Sequence, residues 1–316
     1  MLTIVDSEAW IKYLQTGINF TIFDTQEWIE NISESFKLKA NYYFYIQEGK
    51  TVLGFVIFTS GKRIKLPNHI FFSSIVFNPK FSENVISDIF TASIAQLSKE
   101  FNVLNFKLRP ELRDSRAFIW NNFSVTPKYT YWVDLADTKY HERVYRVLKK
   151  EQMNSYSYFE NKDISLNLDK QFGFVPKKEK SMNHIYTRHF IEKMIKLNNI
   201  IVFSAYNENV LCSSYIVIID RFAKIGYGIM LYTVPEFAKT GVTSGLHDYV
   251  FNYMSNLGIL QFDLCGGNFQ QISAFKRGFN PNLKMYFETS KDNRFGKGKL
   301  GTMLVDGRNT LRKFLK

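Results

Sequence analysis

The chain states one pattern twice. Across its 316 residues, the hydrophobic signature of residues 42–135 recurs over residues 200–288 at a nearly constant offset. Leu53 falls on Leu211, Phe106 on Phe262, and Trp120-Asn121-Asn122-Phe123 on Lys276-Arg277-Gly278-Phe279. A repeat of that length is domain-sized, far beyond the ~20–50 residues of a solenoid unit. The chain is therefore restricted to two copies of one supersecondary plan.

Periodicity supplies the plan. In the first copy, apolar strands over 42–47 and 52–59 flank the turn Glu48-Gly49-Lys50, and a third strand over 70–77 follows a basic loop. Val85, Ile86, Ile89, Phe90, Ile94 and Leu97 form the stripe of a helix over 82–99. A strand over 103–108, a short helix over 115–121 and a strand over 129–135 close the copy. The second copy predicts strands over 200–206, 210–219 and 224–232, a helix over 244–257, a strand over 259–264, a short helix over 270–277 and a strand over 283–288. Helical patterns at 10–15 and 26–37 open the first copy, and others at 140–154 and 183–197 open the second. A helix joining the third strand to the fourth is a crossover, so those two strands should lie parallel. The expectation is an α/β (α+β) chain of two units, residues 1–138 and 139–290. Each should hold its own mixed, mostly antiparallel sheet flanked by helices. A basic helix near 302–314, within 291–316, should pack back on the first unit.

Composition narrows the setting. A hydrophobic fraction of 45% with 16% aromatics excludes long disorder. Cys212 and Cys265 are the two cysteines, which excludes a disulfide framework and argues against zinc. The first ten residues lack the basic-then-apolar plan of a signal peptide, and no apolar run approaches the ~18–20 residues that span a bilayer. Both observations point to the reducing cytoplasm. The net charge of +12 favours anionic partners: phosphates, nucleic acid or an acidic membrane surface. Arg143, Arg146, Lys149, Lys150 and the tract from Lys291 to Lys316 are the candidate contributors.

Candidate chemistry gathers in the second copy. Lys276 stands near the Gly278 stop of a short helix, where on its own it reads as a cation complementing the negative helix end. Asp263 interrupts an apolar strand and takes the place of Lys107 in the first copy. It is either a general base or a structural partner of Lys276 or a backbone amide. Lys239-Thr240-Gly241-Val242-Thr243-Ser244-Gly245 precedes a helix and could offer N–H groups to a phosphate, or simply cap the helix. Tyr227 and Tyr232 either line a cleft or fill it. Cys265 has no histidine near it in sequence. His184 and His189 are spaced to different helix faces, so no metal site is expected.

The run Leu257-Gly258-Ile259-Leu260-Gln261-Phe262-Asp263-Leu264-Cys265-Gly266-Gly267, followed by Ile272-Ser273-Ala274-Phe275-Lys276-Arg277-Gly278-Phe279, resembles the FemAB-like transferases, which carry tandem GNAT domains. Phe23-Asp24-Thr25-Gln26-Glu27-Trp28-Ile29 resembles their first-domain helix. The resemblance implies that Lys276 stabilises the charge developing on an acyl carbonyl oxygen. It implies that Phe275, Arg277, Gln26, Trp28 and Tyr232 contact substrate, and that Lys239, Gly241, Ser244 and Gly245 hold a donor phosphate. Trp120, at the place of Lys276 in the first copy, should then serve folding. The implied activity is transfer of an aminoacyl group from aminoacyl-tRNA to an amine of a phosphorylated peptidoglycan precursor in a bacterial cytoplasm, without a bound cofactor or metal. Peripheral contact with the inner face of the membrane is implied as well. The alternatives are an acyl-CoA-dependent N-acyltransferase acting on an amino sugar in surface polysaccharide synthesis, and a non-catalytic tandem GNAT scaffold. Two features depart from the family. No heptad stretch follows Lys139, so the coiled-coil arm is missing, and the junction helix reads Gln152-Met153-Asn154 where Arg and Lys are usual.

Overall fold

The computed structural model of the chain describes residues 1–67, 72–161, 167–170 and 182–294. The first copy opens with β1 (Leu2–Val5), α1 (Ser7–Leu14), a single turn of 3₁₀ helix and α2 (Gln26–Phe36). Asp6 and Thr25 cap the two helices, their side chains accepting from Ala9 N and Trp28 N. β2 (Lys39–Gln47) and β3 (Lys50–Ser60) form the expected hairpin, with Glu48 and Gly49 both at positive φ, the geometry of a tight two-residue turn. β4 (Arg63–Ile64), β5 (Ser74–Phe77), α3 (Glu83–Glu100), β6 (Val103–Leu108), α4 (Arg116–Trp120) and β7 (Ser124–Asp134) complete the copy.

The second copy runs α5 (Glu142–Leu148), β8 (Tyr156–Glu160), α6 (Met182–Lys196), β9 (Ile200–Asn207), β10 (Val210–Asp220), β11 (Ile225–Thr233), α7 (Val242–Asn256), β12 (Gln261–Asp263), α8 (Gln270–Lys276) and β13 (Asn282–Asp292). The helix expected over 140–154 stops at Leu148. β1 and β8, at four and five residues, were too short to show a period. The C-terminal helix expected near 302–314 lies outside the described residues, as does the start of the strand expected over 70–77.

Both copies follow the same order, three strands, helix, strand, helix, strand. The expectation of two separate sheets does not hold. One sheet runs β1-β2-β3-β4-β6-β13-β7-β12-β11-β10-β9-β8, with β5 paired to β3. The copies exchange their last strands: β13 lies antiparallel between β6 and β7, and β7 lies antiparallel against β12. Each of these 11-residue strands has two edges to satisfy, and the exchange leaves neither open at the centre. The parallel pair demanded by the crossover is β11–β12 in the second copy. In the first copy the parallel neighbour of β6 is the two-residue β4 instead of β5.

Three cores result. α3 and α4 cover the first copy's strands around Phe55, Phe90, Phe106 and Phe118, while α7 covers the second copy's around Phe203, Phe251, Phe262 and Phe279. The third core is shared. There Trp10, Phe23 and Trp28 meet Phe190, Met194, Ile218 and Tyr227, and α2 touches α6 through the edge-on rings of Trp28 and Phe190, 5.0 Å apart.

Asp220 ends β10 with no exposure, its Oδ1 accepting from Phe222 N and Ala223 N at 3.1 and 3.0 Å. Burial pushes its carboxyl up to about 6, and the charge of Asp24 adds to the effect. A raised native pKa means that the folded state holds the proton more tightly than the unfolded chain, whose carboxyl titrates near ~4. Stability should therefore fall by about 3 kcal/mol as pH rises from ~4 through ~6. Urea midpoints across that range should show wild type losing ground to Asp220→Asn. Parallel curves for the two proteins would exonerate Asp220.

Candidate active site

The parallel ladder of β11 and β12 ends at Tyr227 opposite Asp263. β12 stops there, and the chain turns away through Cys265 and Gly266, both at positive φ. β11 continues along β10 with a bulge: Ile216 faces Met230 and Val217 faces Gly228, so Ile229 has no opposite residue. A bulge bends its strand and re-aims the backbone, and here it sits where the two strands part. Gly228 is required by close approach, since a Cβ would collide with the hydroxyl of Tyr215. The first copy pairs β3 with β5 without such an irregularity.

Asp263, 2% exposed, lies at the parting. Its Oδ1 accepts from the Thr130 hydroxyl and from Cys265 N at 2.6 Å, and its Oδ2 from Trp132 Nε1 at 3.0 Å. Burial pushes the carboxyl up, opposed by those three bonds and by the charge of Lys276. Thr130 and Trp132 belong to β7, the strand exchanged from the first copy. The geometry thus makes Asp263 the anchor of the turn to β7. Its oxygens are committed and shielded, which suits the structural-partner alternative better than the general base.

Lys276 does not cap its own helix. Arg143 takes that role, donating through Nη2 to Ala274 O and to Phe275 O, and so leaves the set of free cations expected to contact a polyanion. The Lys276 ammonium reaches Leu264 O at 2.7 Å and Cys265 O at 2.5 Å. Its third N–H has no partner among the described residues. Burial pulls its pKa down, with Cys265 and Asp263 working the other way. Gly266 leaves it room, since a Cβ there would stand 3.3 Å from Nζ.

The other expected residues do not join this cluster. Phe275 packs on His247 and Phe279, with ring centroids 5.5 and 5.4 Å away. Arg277 is exposed. Trp28 has no exposure and lies in the shared core, its Nε1 without an acceptor, while Gln26 on the same helical turn donates to Glu30. Tyr232 is partly buried on β11. Lys239, Gly241, Ser244 and Gly245 lie around the start of α7, where Ser244 N and Gly245 N donate to Gly241 O at 2.9 and 3.1 Å. A Cβ at Gly241 would strike Val147, and one at Gly245 would strike Tyr158 and Met153, so these glycines admit close packing of α5 and β8 against α7. Trp120 is 56% exposed and stacks with Arg116 at 5.4 Å, so it is not the folding element its position suggested. Among the described residues, no group of three His, Cys, Asp or Glu is placed to hold a metal, and no helix is long and apolar enough to cross a membrane.

A cleft of about 200 Å³ opens on the first copy's side, between Leu66, Pro67, Asn105, Lys107, Thr126 and Glu288. Lys107 and Lys128 both pair with Glu288, at 3.1 and 3.7 Å. Thr126, Lys128, Thr130 and Trp132 alternate onto one face of β7, so this cleft and Asp263 share a side of the sheet. The sequence signalled Lys107 through its opposition to Asp263 in the repeat. Lys128, Glu288, Thr130 and Trp132 gave no signal, because only the strand exchange assembles them.

No protein-family model matches the chain, and no curated protein matches it in sequence. Solved structures do match. FemX aligns with a TM-score of 0.62 at 9% identity, covering 91% of this chain and 96% of that one. L-PGS from Bacillus licheniformis aligns with a TM-score of 0.56 at 12% identity, covering 96% of each. A tandem GNAT protein from the clavulanic acid biosynthesis pathway aligns with a TM-score of 0.54 at 9% identity, covering 92% and 98%. Identities this low carry the fold and nothing finer, but they carry it over nearly the whole length. With two copies of the same strand and helix order joined through one sheet, the chain has the tandem GNAT fold of these proteins.

Proposed function

We propose that the protein is an acyltransferase of the FemAB type, moving an aminoacyl group from aminoacyl-tRNA to an amine of a phosphorylated cell-wall precursor in the cytoplasm. One observation carries the reading: a desolvated ammonium, Lys276, stands where β11 and β12 part, with one N–H uncommitted. In the reaction the acceptor amine attacks the ester carbonyl carbon, and negative charge develops on the carbonyl oxygen. Lys276 stabilises that charge in a site shielded from water. The new C–N bond forms, the ester C–O bond breaks, the ribose oxygen leaves as a hydroxyl, and the amine gives up its proton. Asp263, Thr130 and Trp132 hold the turn that positions the ammonium. The cleft beside Lys107 and Lys128 is suited to the acceptor, since two cations set against one carboxylate leave net positive charge for a phosphate. Packing of Gly241 and Gly245 against α5 and β8 disfavours the acyl-CoA alternative, which needs a phosphate site at the start of α7.

Mass spectrometry of product decides between donors. A nucleotide-linked muropeptide incubated with the protein and charged tRNA should gain the mass of one aminoacyl residue, and with acetyl-CoA it should gain nothing. Acetylation in place of aminoacylation would overturn the choice of donor. Silence with both donors over a range of amine acceptors would favour the non-catalytic scaffold.

A further inference from the structure

A buried hydroxyl stands at the point where β11 and β12 part. Tyr215, on β10, is 2% exposed and belongs to the core under α7. It pairs with Leu231, yet its ring leans back along β11 until the hydroxyl rests against Gly228, where a Cβ would collide with it. Gly228 is the first residue of β11 beyond the parallel ladder, which ends with Tyr227 opposite Asp263. Among the described residues the hydroxyl makes no hydrogen bond, although buried polar groups nearly always do. Packing does not call for it either, since the core face of β3 in the first copy carries Leu53, Phe55 and Ile57.

The contacts of His247 place this hydroxyl with Lys276. The His247 ring lies 4.8 Å from the ring of Tyr215 and 5.5 Å from that of Phe275, the residue before Lys276. Tyr215 and Phe275 share one core, so both approach the parting from the same side of the sheet. Burial holds the phenol protonated, well above the usual tyrosine range, and Cys265 and Asp263 act in the same direction. Cys265 is also a residue whose carbonyl accepts from Lys276. His247 does not compete as a donor, because burial pulls its ring down to about 4 and its Nδ1 meets Thr243 O at 2.8 Å. We propose that Tyr215 is a second catalytic residue of this centre, its hydroxyl giving a proton to the leaving ribose oxygen. The assignment rests on the transfer reading above. As the acceptor nitrogen forms the C–N bond, Lys276 holds the charge on the carbonyl oxygen. As the ester C–O bond breaks, its electron pair passes to the ribose oxygen, which takes the Tyr215 proton. The phenolate then recovers a proton from the nitrogen, which the attack has left positively charged. The proton count closes within the site and needs no free carboxylate, in keeping with the committed oxygens of Asp263.

Single-turnover rates of wild type and Tyr215→Phe test the assignment, measured on the nucleotide-linked muropeptide with two charged tRNAs. One tRNA is ordinary. The other carries fluorine in place of the hydroxyl beside the ester on its terminal ribose, which makes the leaving oxygen a weaker base in less need of a proton. Tyr215→Phe should lose about 10²-fold or more with the ordinary tRNA and under about ten-fold with the fluorinated one. Substrate affinity should change little. The thermal midpoint should hold or rise, since a buried hydroxyl without a partner has gone. Equal losses with both tRNAs would make the role structural and overturn the proposal, as would a normal rate or a lowered thermal midpoint in Tyr215→Phe. Wild type that fails only with the fluorinated tRNA would show that the neighbouring ribose hydroxyl carries the proton, which also sinks the proposal. Wild type that transfers from neither tRNA would fault the transfer reading itself, and this assignment with it.

Discussion

Lys276→Ala should lower turnover by about 10²–10³-fold, the usual cost of removing one donor to a developing oxyanion. Substrate affinity should change much less, because the ground-state carbonyl oxygen is only weakly charged. A lysine that merely complemented its helix end would cost under ~1 kcal/mol in stability. The ammonium instead makes two charge-assisted bonds to backbone carbonyls of a turn, so the loss should be nearer ~1–3 kcal/mol. That loss alone cannot separate a catalytic charge from a staple, but the pH profile of turnover can. Burial lowers the pKa of Lys276, and the protonated form is the one that stabilises an oxyanion. Turnover should therefore fall as pH rises through a value below the ordinary lysine range. Lys276→Arg should restore stability more than turnover, since a planar guanidinium places its charge differently. Near-normal turnover in Lys276→Ala would leave the residue as a staple and the catalytic centre elsewhere.

The largest stability loss is expected from Asp24→Ala. Asp24 has no exposure, yet it accepts from Thr21 N at 2.8 Å, from the Thr21 hydroxyl at 2.9 Å, from Arg109 Nη1 at 3.1 Å and from the Ser74 hydroxyl at 2.7 Å. Arg109 also donates to Ile75 O at 2.9 Å, and its side chain is only 16% exposed. Removing the carboxylate leaves a guanidinium in the interior without its counter-charge, which costs about 3–5 kcal/mol. Urea denaturation at neutral pH measures this directly. Combining the change with Arg109→Met should recover part of the loss, because the stranded charge is then gone. A single variant that loses under ~1 kcal/mol would mean that water reaches and satisfies Arg109.

The repeat, the hairpins and the long helices were legible because each is written in the spacing of apolar residues along one segment. Leu53 and Leu211 occupy matching places for that reason. Which edges the last strands would choose was not legible, since apolar spacing assigns a strand its faces and leaves its neighbours open. The same limit hid most of the candidate site. Asp263 stood out as a polar residue in an apolar run, but its donors Thr130 and Trp132 arrive from the other copy. Lys276 stood out through its motif, yet its carbonyl partners depend on two successive left-handed residues, Cys265 and Gly266, the first of which carries no glycine signal. Gly241 and Gly245 left two readings open. A glycine before a helix can admit a phosphate or a neighbouring side chain, and the packing of α5 and β8 against these two is not written in the local sequence.

The exchanged strands also bear on how the molecule comes into being. On a ribosome the first copy emerges complete in helices yet unfinished in its sheet, because the neighbour that β6 requires, β13, begins some 180 residues after β6 begins. Until then β6 offers an open edge, the kind of surface through which nascent chains find the wrong partner. β7 must meanwhile wait for β12. The final step of assembly is thus the insertion of one strand between two others already made, and it closes both halves together. Neither copy could be excised or replaced by itself without leaving a gap in the other, so the two copies make one folding unit.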